Sequence, residues 1–136
     1  MRRLVSLALV FAALACGDDD TTAPTQASVA GTWSLQTVNG SPLPFTIATT
    51  PAKLEILSYV VNVSANGTWT SSQQVRTTFG GSVTTNTNTD GGTYTLSGNN
   101  VAITSNTAGS TVQAGVIAGN TLTLSQSGFI FVFTKQ

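Results

Sequence analysis

The reactive side chains of this sequence are few, and the most reactive is Cys16, its only cysteine. A lone thiol forms no intrachain disulfide, so its chemistry is that of an acceptor for a covalent group. There is no histidine. That removes the commonest general base and every Ser-His-Asp or Cys-His arrangement. Three of the acids sit together at Asp18, Asp19 and Asp20, which leaves Glu55 and Asp90 as the carboxylates of the main body. They would serve as a glycosidase pair only if the fold brought them to about 5–10 Å. Lys53 and Glu55, two apart, read as solvent-facing neighbours on one strand face. Asn86-x-Asn88-x-Asp90-Gly91 imitates the first half of a calcium loop, but Ser97 stands where the closing glutamate belongs. The stretch 80–91 therefore reads as a rim loop without a metal. No enzyme activity and no cofactor are expected.

Residues 1–15 carry two arginines and then an apolar run from Leu4 to Ala15. As a helix that run spans roughly 18 Å, too short for a hydrocarbon core of about 30 Å. It reads as a secretory signal peptide. Ala13-Leu14-Ala15-Cys16 resembles the lipobox of bacterial lipoproteins, in which the cysteine thiol receives a diacylglycerol before cleavage. The resemblance implies lipidation at Cys16 with acyl chains of the palmitate class, each buried CH₂ adding about 0.8 kcal/mol of membrane affinity. Ala13-x-Ala15 also fits an ordinary signal-peptidase site, which would leave Cys16 as a free thiol. Residues 16–28 then read as the lipidated cysteine and a disordered polar tether, GDDDTTAPTQAS after Cys16. The acidic run looks like the surface-export signal of some bacterial lipoproteins. Gly17 is not the aspartate of inner-membrane retention, so the expected location is the outer membrane of a cell envelope.

The exported part holds Lys53, Arg76 and Lys135 against Asp18, Asp19, Asp20, Glu55 and Asp90, a net charge of −2. It has no basic stripe, so no nucleic acid is expected as a partner. Charged residues make up 7% of the chain, while 40% is hydrophobic. That combination predicts a packed core under a neutral surface of hydroxyls and amides.

Residues 29–136 show no helical period. They read as eight short alternating strands, at about 31–38, 53–64, 67–79, 92–97, 100–105, 111–118, 120–125 and 129–135. Asn66-Gly67, Asp90-Gly91-Gly92, Gly98-Asn99-Asn100 and Gly119-Asn120 supply turn residues that tolerate positive φ. The second strand changes phase between Ile56 and Tyr59, which predicts a β-bulge near Leu57 or Ser58. The fold class is all-β: an antiparallel up-and-down meander, expected to close into an eight-stranded barrel because closure removes both edges. A two-sheet sandwich is the alternative.

Gly31-Thr32-Trp33, opening the first strand, resembles the Gly-x-Trp signature of lipocalins, and the continuation to Pro44 resembles small lipocalin-like lipoprotein domains. The resemblance implies a barrel whose Trp33 plugs one end, with Gly31 beside it and Lys135 packed over the ring as a cation–π partner. Two expectations for function follow. In one, the barrel binds a small apolar ligand among Trp69, Phe79, Tyr94, Phe129, Phe131 and Phe133, oriented by Ser71, Gln73 and Thr77. In the other, the core is solid. The domain then meets an envelope protein partner through rim loops such as 80–91, or through a patch around Ile130 and Val132. A continuous apolar cavity of a few hundred Å³ distinguishes the first from the second.

Overall fold

The computed structural model describes residues 22–107 and 112–136. The leader at 1–15, Cys16 and the acidic run lie outside the described residues.

One antiparallel sheet of ten strands is wound into a barrel. The strands are β1 (Gly31–Val38), β2 (Ser41–Pro42), β3 (Phe45–Ala48), β4 (Lys53–Val63) and β5 (Thr68–Phe79). They continue as β6 (Ser82–Ser97), β7 (Asn100–Ser105), β8 (Gln113–Ala118), β9 (Thr121–Gln126) and β10 (Phe129–Lys135). From β4 to β10 each strand pairs with the next, and β1 closes the ring by pairing with both β10 and β4. The result is an eight-stranded up-and-down barrel of lipocalin-like form with two short additions, not a sandwich. The additions fill a gap. Residues 31–34 of β1 pair with 60–63 of β4, after which the two strands part. There β2 takes over the edge of β1, and β3 takes over the first part of β4.

The register shifts between Ile56 and Ser58. This is the bulge that the phase change in the sequence requires, and it lets Ile56 and Val61 both bury. Inside the barrel Trp33, Leu35, Val38, Val61, Trp69, Tyr94, Val101, Ile103, Leu122, Leu124 and Phe133 form one core. Among the described residues no buried side-chain nitrogen or oxygen lacks a hydrogen-bond partner.

The stretch 80–91 is not a loop: from Ser82 it is the first half of β6, paired with β5 in unbroken register from Phe79↔Ser82 to Thr68↔Thr93. Asn favours turns because its side chain competes for backbone groups, which gave the segment a loop-like look. The β-branched threonines at 84, 85, 87 and 89 prefer the extended backbone, and a full partner strand decides the outcome. Likewise Asp90-Gly91-Gly92 makes no turn. A Cβ at Gly92 would lie inside contact distance of the Thr104 carbonyl oxygen, so this glycine serves close strand approach. The hairpin turn is Gly80-Gly81, both at positive φ. Since β7 reaches only as far as Gly92 on β6, residues 82–91 of β6 rise beyond the barrel wall. With β5, which stays paired to β4 as far as Thr78↔Lys53, they form a three-stranded wing.

Residues 26–28, expected to belong to the disordered tether, are ordered. Gln26–Val29 make one helical turn, α1, closed by a capping box between Thr25 and Ser28. Val29 is buried, and its carbonyl accepts the Trp33 indole N–H at 2.9 Å.

Glu55 is not a solvent-facing acid. Its carboxylate meets Lys53 Nζ at 2.8 Å and Arg76 Nε at 2.9 Å, and its side chain is 8% exposed. The hydrogen bonds from Arg76 and then Lys53 hold its pKa at about 2, against an ordinary 4.5. A depressed acid stabilises the fold fully above its unfolded pKa and loses that contribution as pH falls through the folded value. The stability difference between the native protein and Glu55→Gln is therefore expected to hold steady above pH 4.5 and shrink between 4.5 and about 2. Urea unfolding at stepped pH measures it. A difference independent of pH would contradict the assignment.

Candidate functional site

The barrel interior has two halves. At the end where β1 begins, Trp33, Trp69, Tyr94, Val101, Ile103 and Leu122 converge under Val29. Trp69 Nε1 donates to the carbonyls of Thr93 and Thr104, both at 3.2 Å, and the Tyr94 hydroxyl donates to the Ser64 carbonyl at 2.8 Å. These bonds fix both rings. The space left among the side chains is about 20 Å³, roughly the room of one water molecule. Beneath the floor, Lys135 Nζ lies 5.9 Å from the Trp33 ring centroid and donates to the Ser28 carbonyl at 2.7 Å. Gly31, at φ +136°, leaves the lysine stem its path: a Cβ there would come within 2.9 Å of Lys135 Cε.

The other half is filled by rings. Tyr59 packs edge-on against Phe133 at 5.3 Å and against Phe131 at 6.5 Å between centroids. Phe129 meets Phe45 edge-on at 5.9 Å and Phe131 at 6.2 Å. Phe129, Phe131 and Phe133 thus spend their faces on one another and on two rings from β3 and β4. Phe79 is elsewhere, 63% exposed at the tip of the wing. The six aromatic residues singled out from the sequence do not surround a common space. On the outer wall Ile130 is exposed and Val132 half-buried.

A second space opens at the mouth, where the wing leaves the barrel. It holds about 240 Å³ and is lined by Tyr59, Ser71, Gln73, Asn88, Thr89, Asp90, Gln126 and Phe131. The strand register explains the gathering. Gln73 lies opposite both Tyr59 and Asn88, and Ser71 lies opposite Asp90, so alternation sends all five to one face. Asp90 Oδ1 accepts from the Gly91 amide at 2.7 Å, the Ser105 hydroxyl at 2.8 Å and the Thr107 hydroxyl at 3.0 Å. Burial works against its charge, but the bonds from Ser105, Gly91 and Thr107 outweigh it and hold the carboxyl below the usual range. Burial pushes the Tyr59 phenol up. The Ser71 hydroxyl bonded to it pulls the other way, and the Asp90 charge adds to the rise. Both groups keep their neutral-pH forms: an anion at Asp90 and a phenol at Tyr59.

Glu55 pairs across β4 and β5 with Arg76, whereas Asp90 pairs with Ser71, so the two carboxylates project from opposite faces of the sheet. They form no glycosidase pair. Among the described residues no three His, Cys, Asp or Glu side chains are grouped to hold a metal. Of the residues lining this pocket, the sequence pointed to Ser71, Gln73 and Phe131 as ligand contacts and to Asn88 and Asp90 only as a loop imitating a calcium site, while Tyr59, Thr89 and Gln126 were missed. The usable signal was the period-two alternation of Thr and Asn over 85–89, which matches β5 across the hairpin. A scan against protein-family models matched none to this chain, and a search of curated proteins found none with significant similarity.

Proposed function

We propose that this chain is an exported, lipid-anchored barrel of the bacterial cell envelope, held at Cys16, and that it is a non-catalytic interaction module working from its open end. The observation that carries this reading is the filled interior, where the apolar space is about 20 Å³ against the roughly 300–1,000 Å³ of sites that enclose small molecules. A barrel so packed offers its rim, not its lumen. The apolar leader and the lipobox-like run ending at Cys16 support the anchor. Geometry supports the working face. The polypeptide enters at α1, beside the start of β1, and β5 runs parallel to β1, so the wing tip lies at the opposite end. An anchor upstream of α1 turns the mouth and wing away from the membrane. The outer membrane is the location that Gly17 and the acidic run favour.

Mass spectrometry of the N-terminal fragment of protein extracted from membranes tests the anchor. The expected mass is that of a cysteine carrying diacylglycerol, and Cys16→Ser is expected to move the protein to the soluble fraction. An unmodified cysteine, or a native protein found free of membranes, would contradict the proposal.

A further inference from the structure

We propose that the mouth pocket, together with the face of the wing that continues from it, binds a neutral glycan chain. The inference rests on the open end being the working face; it does not depend on the lipid anchor.

The pocket is small for an isolated ligand, about 240 Å³, but it is not closed. Its inner face runs on along the hairpin as the cross-strand pairs Gln73–Asn88, Val75–Asn86, Thr77–Thr84 and Phe79–Ser82. From Gln73 to Phe79 this trough extends roughly 20 Å at the usual strand rise. On β5 and β6 its floor is amides and hydroxyls with one aliphatic side chain, Val75; Ile56 and Leu54 of β4 border it, and an exposed phenyl ring stands at its far end. Past Asp90 no charged residue lies on it.

That chemistry selects among ligands. An apolar chain would leave Gln73, Asn88 and Gln126 unpaired against it, which is costly. An anion would meet the Asp90 carboxylate and no cation, since neither lysine nor arginine lines the pocket. A small cation would find a single carboxylate, one of whose oxygens already accepts three hydrogen bonds. A polyhydroxylated chain suits what is present. Amides both donate and accept, as sugar hydroxyls do. A carboxylate held in its anionic form strengthens a hydroxyl bond to it. The half-buried ring of Tyr59, locked edge-to-face at 6.5 Å against the buried Phe131, gives a rigid apolar edge for the C–H side of a sugar ring, and the exposed Phe79 gives another at the far end. A row of repeating neutral groups beside the pocket fits a chain of repeating units better than a single small molecule.

The test is calorimetric titration of the detergent-solubilised full chain with maltohexaose, cellohexaose and chitohexaose. Saturable binding of at least one is expected. Asn88→Ala should weaken it up to about tenfold, the loss of one or two hydrogen bonds. Phe79→Ala should weaken it several-fold, with the unfolding midpoint of each variant unchanged because both side chains are exposed. Binding to none of the three would overturn the proposal, as would binding that neither substitution alters. Saturable binding of tetramethylammonium or decanoate at this face, without competition from the hexasaccharides, would also overturn it. None of these failures touches the filled interior or the lipid anchor, which have their own tests.

Discussion

Trp33→Ala is expected to lower the free energy of unfolding by about 3–5 kcal/mol. Trp33 is 1% exposed and among the largest fully buried side chains. Its removal opens a cavity at the barrel end that α1 covers, and the Val29 carbonyl loses the indole N–H it accepts. Lys135 loses the ring face beneath its ammonium. Since domains of this size are stable by only about 5–15 kcal/mol, such a loss leaves a protein close to unfolding. Trp33→Phe keeps most of the volume but not the hydrogen bond, and should fall between the two. Urea unfolding of the three proteins measures the series. A cost below about 1 kcal/mol for Trp33→Ala would mean that the barrel end repacks freely.

Gly92→Ala is expected to be as damaging for a different reason. Gly92 sits where β6 passes from the wing into the wall, between Trp69 on β5 and Ser105 on β7. The added methyl would collide with the backbone of Thr104, which no side-chain rotation relieves. A cost of at least about 3 kcal/mol follows, the upper range for overpacking. At Gly91 the nearest atom to an added Cβ is the Trp69 carbonyl oxygen at 3.1 Å, so Gly91→Ala should be markedly milder. Soluble yield and urea midpoint, compared side by side, check the ranking. Equal effects at both positions would remove close approach as the reason for glycine at Gly92.

Much of the barrel was legible because alternation carries it. Tyr94 and Leu96, Val101 and Ile103, Leu122 and Leu124 each show period two, and seven of the eight expected strands begin and end within about two residues of those observed. The exception is the strand expected at 92–97, which starts ten residues earlier. There Asn86, Asn88 and Asp90-Gly91-Gly92 imitated a loop, and only a partner strand distant in sequence reveals the extended state. The small strands β2 and β3 were invisible for a related reason. They exist only because β1 and β4 diverge, a tertiary fact absent from any local pattern. The site was the least legible part. Tyr59 was recognised as changing face at the bulge, but a β-sheet face is a two-dimensional object. Its pocket draws residues from β4, β5, β6, β9 and β10 that lie up to 72 positions apart, Tyr59 and Phe131 at the extremes. Phe79 shows the converse error: alternation assigned its face correctly, but the strand had by then left the barrel.

A solid barrel acting from its rim takes no apolar ligand into its lumen. Quenching of tryptophan fluorescence by a brominated fatty acid, in detergent at concentrations below vesicle formation, tests it most directly, because Trp33 and Trp69 both flank the interior space. No saturable quenching is expected beyond that of free tryptophan under the same conditions. Saturable quenching that Trp69→Phe abolishes would place a ligand inside the barrel and contradict that expectation.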